Sequence, residues 1–369
     1  MSIWLSRSRL VRASSKLDKF QPSITHEYKK FSEYWGGEPF INRWHFPLIP
    51  EYANQYAQFT QGSIIKFTPT PRDVIQVSKD VPGAVIIADP PDQVLASRYL
   101  FGLQRPANDP YADPRVRIAL RRSIDFKSIG EFLSNKVAFE AAGIPVDLKP
   151  MTHMPQNSSY WLNPEKGELG KVSENYLFDV AAAKALMSAA GHTQPLPLRV
   201  AIQLGGGGLF AEEDSLRMDS LRASGTFAVD VLQVATAQEQ RKYRVDRAWD
   251  GIAWSSGSDS EPDYLMQRDW VGTAQTGGRT SFAHEKTEAL LIAQRQELDF
   301  NKRVEILKDV QRWAAEWMMV LPAQHIYSTF SFQWPWVHNY NWGTPDTFGT
   351  SYWGSHKQWL DKDMPNRGG

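Results

Sequence analysis

The chain has 369 residues, which allows two domains of about 150 residues each. Its 41 lysine and arginine residues balance 41 aspartate and glutamate residues, so the formal net charge is zero. Without an excess of cations, general binding to nucleic acid or to an anionic membrane is not expected. The chain has no cysteine, which excludes disulfides, thiolate metal sites and cysteine nucleophiles.

The first residues do not resemble a secretory signal. Arg7, Arg9 and Arg12 interrupt the apolar run of about 7–15 residues that an export signal needs. We therefore predict that residues 1–13 are an untargeted N-terminal extension.

Periodic patterns along the chain predict an α/β organisation. Asp113 and Asp179 are suitable N-caps, and Pro114 is a suitable first helical residue. A βαβαβ run comes next, with strands over 198–204, 227–234 and 249–254 and helices over 212–223 and 236–244. The other predicted elements are a hairpin over 17–31, strands over 43–49, 84–88, 94–103 and 321–332, and helices over 51–61, 71–80, 114–124, 285–298 and 301–318.

Residues that could catalyse a reaction or hold a metal form no recognisable motif. The eight histidines show no paired ligand spacing, so neither a metal site nor a cofactor is predicted. The glycine run 205–208 lacks the Gly-Lys-Ser/Thr ending of a phosphate loop and is interpreted as a connector. Residues 212–214, Glu-Glu-Asp, begin a predicted helix and are interpreted as solvated charges that favour its dipole. No catalytic residue is predicted, and the chain is not expected to be an enzyme.

Tryptophan is unusually frequent, and ten of the 14 lie from Trp249 onward. Trp313 and Trp317 fit the apolar stripe of a helix and are expected in the core. Trp254 ends a strand at the sheet edge where α/β proteins bind ligands, and a flat ring beside small hydroxyls and an acid suits an organic ligand. A buried Trp254 beside a merely flexible loop is the alternative. The predicted ligand-binding residues are Trp254, Ser256, Gly257, Ser258 and Asp259.

Four ordered stretches resemble the extracytoplasmic solute-binding proteins, family 5, of ABC transporters. The first is residues 34–37, Tyr-Trp-Gly-Gly, followed by a strand and a helix that ends at Gly62. The second is residues 113–120, Asp-Pro-Arg-Val-Arg-Ile-Ala-Leu, which are similar to the family's signature helix; Phe126 stands where the family has arginine. The third is the helix over 179–191, and the fourth runs from Trp249 through the Trp254 loop to the two C-terminal helices and Pro322.

The resemblance implies a two-lobed α/β receptor of the class II periplasmic-binding-protein fold, with mixed sheets and lobes that close about a hinge. It implies an extracytoplasmic or periplasmic protein that captures an oligopeptide or similar small organic solute and delivers it to ABC transporter permease subunits. Family members carry a long segment before the hairpin, so the N-terminal lobe here is expected to be incomplete. The expected lobes are residues 14–104 with 326–369, and residues 105–325.

The loop after Trp254 departs from the peptide-binding members of the family. Those proteins have an aspartate three residues after the loop tryptophan, which pairs with the ammonium group of the ligand, whereas this chain has Gly257 there. Asp259 is the carboxylate available as a substitute. Two alternatives stay open: an N-terminally truncated fragment that binds nothing, and an α/β hydrolase that uses the serines and acids near 255–263.

Overall fold

A computed structural model shows a chain that divides into two compact units, residues 1–93 with 329–369 and residues 94–328. The predicted N-terminal extension, residues 1–13, lies outside the described residues. In the part of the chain that is described, no helix is both long and apolar enough to cross a membrane. The structure describes residues 14–89, 97–154, 156, 158–203, 209–255, 262–272, 278–323, 325–327, 329–339 and 355–363.

The described strands and helices are numbered in chain order. The strands are β1 (Ser15–Gln21), β2 (Thr25–Lys30), β3 (Arg43–Pro47), β4 (Lys66–Phe67), β5 (Val85–Asp89), β6 (Arg98–Phe101), β7 (Leu148–Pro150), β8 (Leu196–Gln203), β9 (Phe227–Val234), β10 (Ile252–Ser255), β11 (Leu321–Pro322), β12 (His325–Tyr327), β13 (Thr329–Gln333), β14 (Val337–His338) and β15 (Trp359–Leu360). The helices are α1 (Tyr52–Thr60), α2 (Val74–Asp80), α3 (Pro114–Arg122), α4 (Phe126–Leu133), α5 (Lys136–Ala141), α6 (Val180–Ala189), α7 (Leu209–Ser224), α8 (Ala237–Arg244), α9 (Pro262–Leu265), α10 (Glu285–Gln296) and α11 (Phe300–Trp317).

The smaller unit contains two antiparallel sheets of three strands each, in the orders β1-β2-β3 and β4-β13-β5. The predicted hairpin over 17–31 is confirmed, and its turn holds Ser23 in the left-handed region at a φ of 60°. His26 lies between Phe20 on β1 and Phe46 on β3, and both phenylalanines are more than half exposed. One face of this small sheet is therefore apolar and exposed.

The larger unit is built on a mixed sheet of five strands, in the order β11-β6-β10-β8-β9. β8 pairs in parallel with β9 and with β10, as the predicted βαβαβ run requires. β6 pairs antiparallel with β10, and β11 with β6. The main core lies between this sheet and α3, α4, α6 and α7, and a second core joins β6 to α10 and α11.

The helix starts follow the sequence closely. The Asp113 carboxylate accepts a hydrogen bond from the Arg115 backbone N–H at 2.8 Å, and Asp179 accepts one from Ala182 at 2.9 Å. Both predicted N-caps are confirmed, and each contributes about 0.5–2 kcal/mol of helix stability.

Two stretches differ from the sequence-based interpretation. The predicted strand over 321–332 is three strands in three different sheets, because β11 pairs with β6, β12 with β7, and β13 with β4 and β5. An apolar run has the same pattern whichever partner it takes, so the sequence does not show these breaks. Strand β6, which the sequence places in the incomplete lobe, pairs within the sheet of the larger unit. The division into lobes at 104 and 326 stays a prediction.

Candidate functional site

The candidate site lies where β8, β9 and β10 end together. These three strands are parallel, so their carboxyl ends meet at one edge of the sheet, where ligands of open α/β sheets bind. The antiparallel β6 begins at the same edge, and Trp254 on β10 lies directly opposite Tyr99 on β6. Helix α7 starts after the connection 204–208, which contains the predicted glycine connector and lies outside the described residues.

Trp254 is only partly buried, unlike the residues of the main core against which it packs. The guanidinium carbon of Arg217, on α7, lies 5.9 Å from the centroid of its ring and 6.0 Å from the ring of Tyr99. The indole is thus supported from one side by a fixed cation and keeps part of its surface open. This is the position that a stacking or apolar contact with a ligand requires.

Arg217, which lies beside the Trp254 ring, belongs to a buried cluster of charged residues. Arg217, only 1% exposed, forms ion pairs with Glu213 and, at 3.0 Å, with Asp214. The Tyr99 hydroxyl lies 3.5 Å from the Asp214 carboxylate. Burial raises the pKa of both carboxyls above their ordinary values, and Arg217 opposes this shift.

The interpretation of residues 212–214 as solvated charges is wrong for Glu213 and Asp214, which are 4% and 8% exposed. The dipole of α7 does favour acids in its first turns, but here these acids also neutralise a buried arginine. The sequence carried a signal for this pairing, since Arg217 stands four residues after Glu213 and three after Asp214. That spacing indicates a pair on one helix face and not whether the face is buried.

A second buried charge cluster fixes the chain that follows the loop. Asp269, 1% exposed, accepts a hydrogen bond from Arg98 Nε at 2.8 Å and lies 3.5 Å from Arg247 Nη2. Arg268 Nε is 3.2 Å from the same carboxylate. Burial raises the pKa of Asp269, and the arginines oppose this shift. The start of β6, the turn before β10 and the helical turn after α9 are thereby tied together.

The loop after β10 is anchored on its far side as well. Asp263, in the first turn of α9, accepts hydrogen bonds from Gln294 Nε2 at 2.6 Å and from Arg295 Nη2 at 3.0 Å. Of the five predicted ligand-binding residues, the structure describes only Trp254. It also describes the residues on either side of the loop, Ser255 and Pro262. Ser256, Gly257, Ser258 and Asp259 lie outside the described residues, and their contact with a ligand stays a prediction. Among the residues that are described, no three His, Asp or Glu side chains are grouped as a metal site would need.

Solved structures that are similar to this chain include substrate-binding proteins of ABC transporters. An ABC transporter substrate-binding protein, CtaP, from Listeria monocytogenes is 17% identical, with a TM-score of 0.70 over 94% of this chain and 66% of its own. The periplasmic binding protein DppA from Helicobacter pylori, in complex with the peptide STSA, is 17% identical, with a TM-score of 0.71 over 95% of this chain and 63% of its own. MoaA from A. tumefaciens R10, in complex with mannopinic acid, is 16% identical, with a TM-score of 0.68 over 95% and 66%.

These likenesses define the class of the fold, that of the two-lobed periplasmic binding proteins, as the sequence predicted. The family model "Bacterial extracellular solute-binding proteins, family 5 Middle" matches residues 16–277. The chain belongs to this family. Its matches are to binding proteins and not to enzymes. None of the curated proteins matches the sequence, and the chain spans about two thirds of the length of the solved structures compared.

Proposed function

We propose that this protein is the extracytoplasmic solute receptor of an ABC transporter, and that it captures a peptide-like or similar small organic solute between two lobes. The observation that carries the proposal is Trp254, partly open at the carboxyl edge of a parallel sheet and opposite Tyr99. Solute capture needs shape, apolar contact and a few polar anchors, and no reacting group. The solute would then pass to the permease subunits.

The mechanism would be closure of the lobes about the two places where the chain passes between them. A rigid wall on the larger unit lowers the entropic cost of closure, because the wall does not have to be ordered when the solute arrives. The two buried charge clusters and the anchored flank of the loop supply that rigidity. Together Glu213, Asp214 and Arg217 carry a formal charge of −1 when all are ionised, which favours a cationic group on the solute.

A second candidate is a form of the fold that binds no solute, because the chain spans about two thirds of the solved structures. A thermal-shift screen of peptides, oligosaccharides and metal chelates separates the two. Stabilisation by one class supports capture and identifies the class of the solute. A folded protein that shifts with none of them would overturn the capture function and leave the second candidate.

Replacing Trp254 by alanine should weaken solute binding by about 1.5–3 kcal/mol, roughly tenfold or more, through lost apolar contact. Calorimetric titration with the solute that the screen identifies measures the effect. Phe300→Ala is the control, because Phe300 is an aromatic residue of the same unit that is 66% exposed at the start of α11, outside the strand ends that form the site. Equal affinity in the Trp254 variant and the native chain would contradict the site.

Replacing Asp259 by asparagine should weaken binding of a cationic solute by about 1.5–3 kcal/mol, the strength of a charge-assisted hydrogen bond. The substitution keeps the size of the side chain and removes only its charge. Glu261→Gln removes a carboxylate from the same loop and should have a smaller effect. If both variants lose affinity equally, the loop attracts the solute by its overall negative charge, and the assignment of Asp259 as the anchor is wrong.

A further inference from the structure

A cavity of about 230 Å³ opens beside the first half of β8, away from the carboxyl end near Trp254. It lies where β8 begins and the chain leaves β6, and its lining includes Pro106, Tyr111, Pro197, Arg199 and Asp250. Ala253 of β10 pairs with Ala201 of β8, so Trp254 lies level with the residue three positions after Arg199 and four positions after Asp250 on its own chain. The nearest lining residues are thus about 10–13 Å from Trp254 along the strands, and the cavity does not include Trp254.

Most of the cavity wall offers no free hydrogen-bonding group. Prolines 106, 110 and 197 have no backbone N–H, and the Tyr111 hydroxyl already donates to the Pro197 carbonyl at 2.9 Å. The Arg105 guanidinium is held by the Asp109 carboxylate and by the Asp250 backbone carbonyl, and it lies 4.9 Å from the Tyr111 ring. This part of the wall is rigid and largely apolar.

Arg199 and Asp250 are the exception. Their side chains are each 48% exposed and are joined by one hydrogen bond, from Arg199 Nη1 to Asp250 Oδ1 at 2.8 Å. Arg199 Nε also lies 3.8 Å from Asp230 Oδ2 in an exposed ion pair. Within the described chain, Arg199 Nη2 and Asp250 Oδ2 make no further hydrogen bond, so one donor and one acceptor stay available. Trp249 supports the Arg199 guanidinium at 5.7 Å.

We propose that this cavity binds a small zwitterion with an apolar side chain, of the size of a free amino acid. Its carboxylate would pair with Arg199 and its ammonium group with Asp250, while its side chain contacts the prolines and Tyr111. Arg199 and Asp250 present opposite charges next to each other, so a simple anion or cation pairs with only one of them, whereas a zwitterion pairs with both. A cavity of about 230 Å³ has room for a ligand of the size of an amino acid.

Leucine is the probe, titrated by calorimetry into the full chain. We expect saturable binding that weakens about tenfold or more in Arg199→Gln and in Asp250→Asn, each of which removes one of the two charges. Arg222→Gln is the matched control, because Arg222 forms an exposed ion pair with Asp219 in the same unit. Leucine amide and N-acetyl-leucine, which each lack one charge, should bind the native chain at least about tenfold more weakly.

Trp254→Ala separates the two sites, since it should leave leucine binding unchanged. Because Arg199 and Asp250 are exposed, their variants should fold, and thermal melting checks this. Absence of leucine binding to the native chain would overturn the proposal, as would variants Arg199→Gln and Asp250→Asn that bind leucine as tightly as the native chain does. Leucine binding that is lost in Trp254→Ala and retained in Arg199→Gln would also overturn it, and would instead support the proposed solute site.

Discussion

Arg217→Met is expected to lower the free energy of unfolding by about 3–5 kcal/mol, because it leaves two buried carboxylates without their cation. Glu213 and Asp214 are largely buried, so without Arg217 they must protonate, move or remain unpaired. Urea unfolding at neutral pH, followed by tryptophan fluorescence, measures the loss. Arg222→Met, on the exposed side of the same helix, is the control and should cost less than about 1 kcal/mol.

The pH dependence of the stability of Arg217→Met tests whether unpaired buried charge causes the loss. Burial raises the folded-state pKa of Glu213 and of Asp214 above the unfolded values, so the folded state binds more protons than the unfolded state. Stability from these groups therefore falls as the pH rises through the range between the two sets of pKa values. Without Arg217 the folded-state pKa values of the two carboxyls rise further. The difference in the free energy of unfolding between the native chain and Arg217→Met should therefore shrink as the pH is lowered toward about 4. A deficit that is the same at every pH would mean that lost packing, and not unpaired charge, destabilises the variant.

Trp270→Ala is expected to cost about 3–5 kcal/mol, the range for removing a large buried aromatic side chain. Trp270 is 1% exposed, and the His153 ring packs edge-on against it with centroids 5.4 Å apart. Trp270 packs in the second core with methionine and leucine side chains, so removing the indole would leave a cavity there. Urea unfolding of the native chain and the variant gives the difference.

Trp313→Ala is the comparison for this measurement. The rings of Trp313 and Trp317 stack on each other with centroids 5.7 Å apart, and both pack against the second core. Both are partly exposed, so they lie at the margin of this core and not at its centre. The indole N–H of Trp313 donates to Thr287 at 2.9 Å. We expect a smaller loss for Trp313→Ala than for Trp270→Ala, because less area is removed from water. The reverse order would contradict the assignment of Trp270 to the centre of the core.

The sequence determined the local elements of this protein because their signals are local. The caps at Asp113 and Asp179 act within three residues, and the strand over 227–234 has the bounds that the sequence predicts. The βαβαβ run follows from alternating strand and helix periods, and the order of the four motifs indicated the family. The strand-end position of Trp254 followed from the same patterns.

Only the tertiary structure decided which strands pair and which charges are buried. β6 pairs with β10 on one side and with β11 on the other, both more than 150 residues later in the chain. Tyr99 of β6 thus lies between Trp254 and Leu321. Glu213, Asp214 and Arg217 have the spacing of an ordinary surface ion pair, yet all three are buried, with Arg217 near the rings of Tyr99 and Trp254 and Asp214 near the Tyr99 hydroxyl. Helix and strand patterns depend on neighbours two to four positions away, whereas burial depends on residues brought together by folding, and no single stretch of the sequence records that.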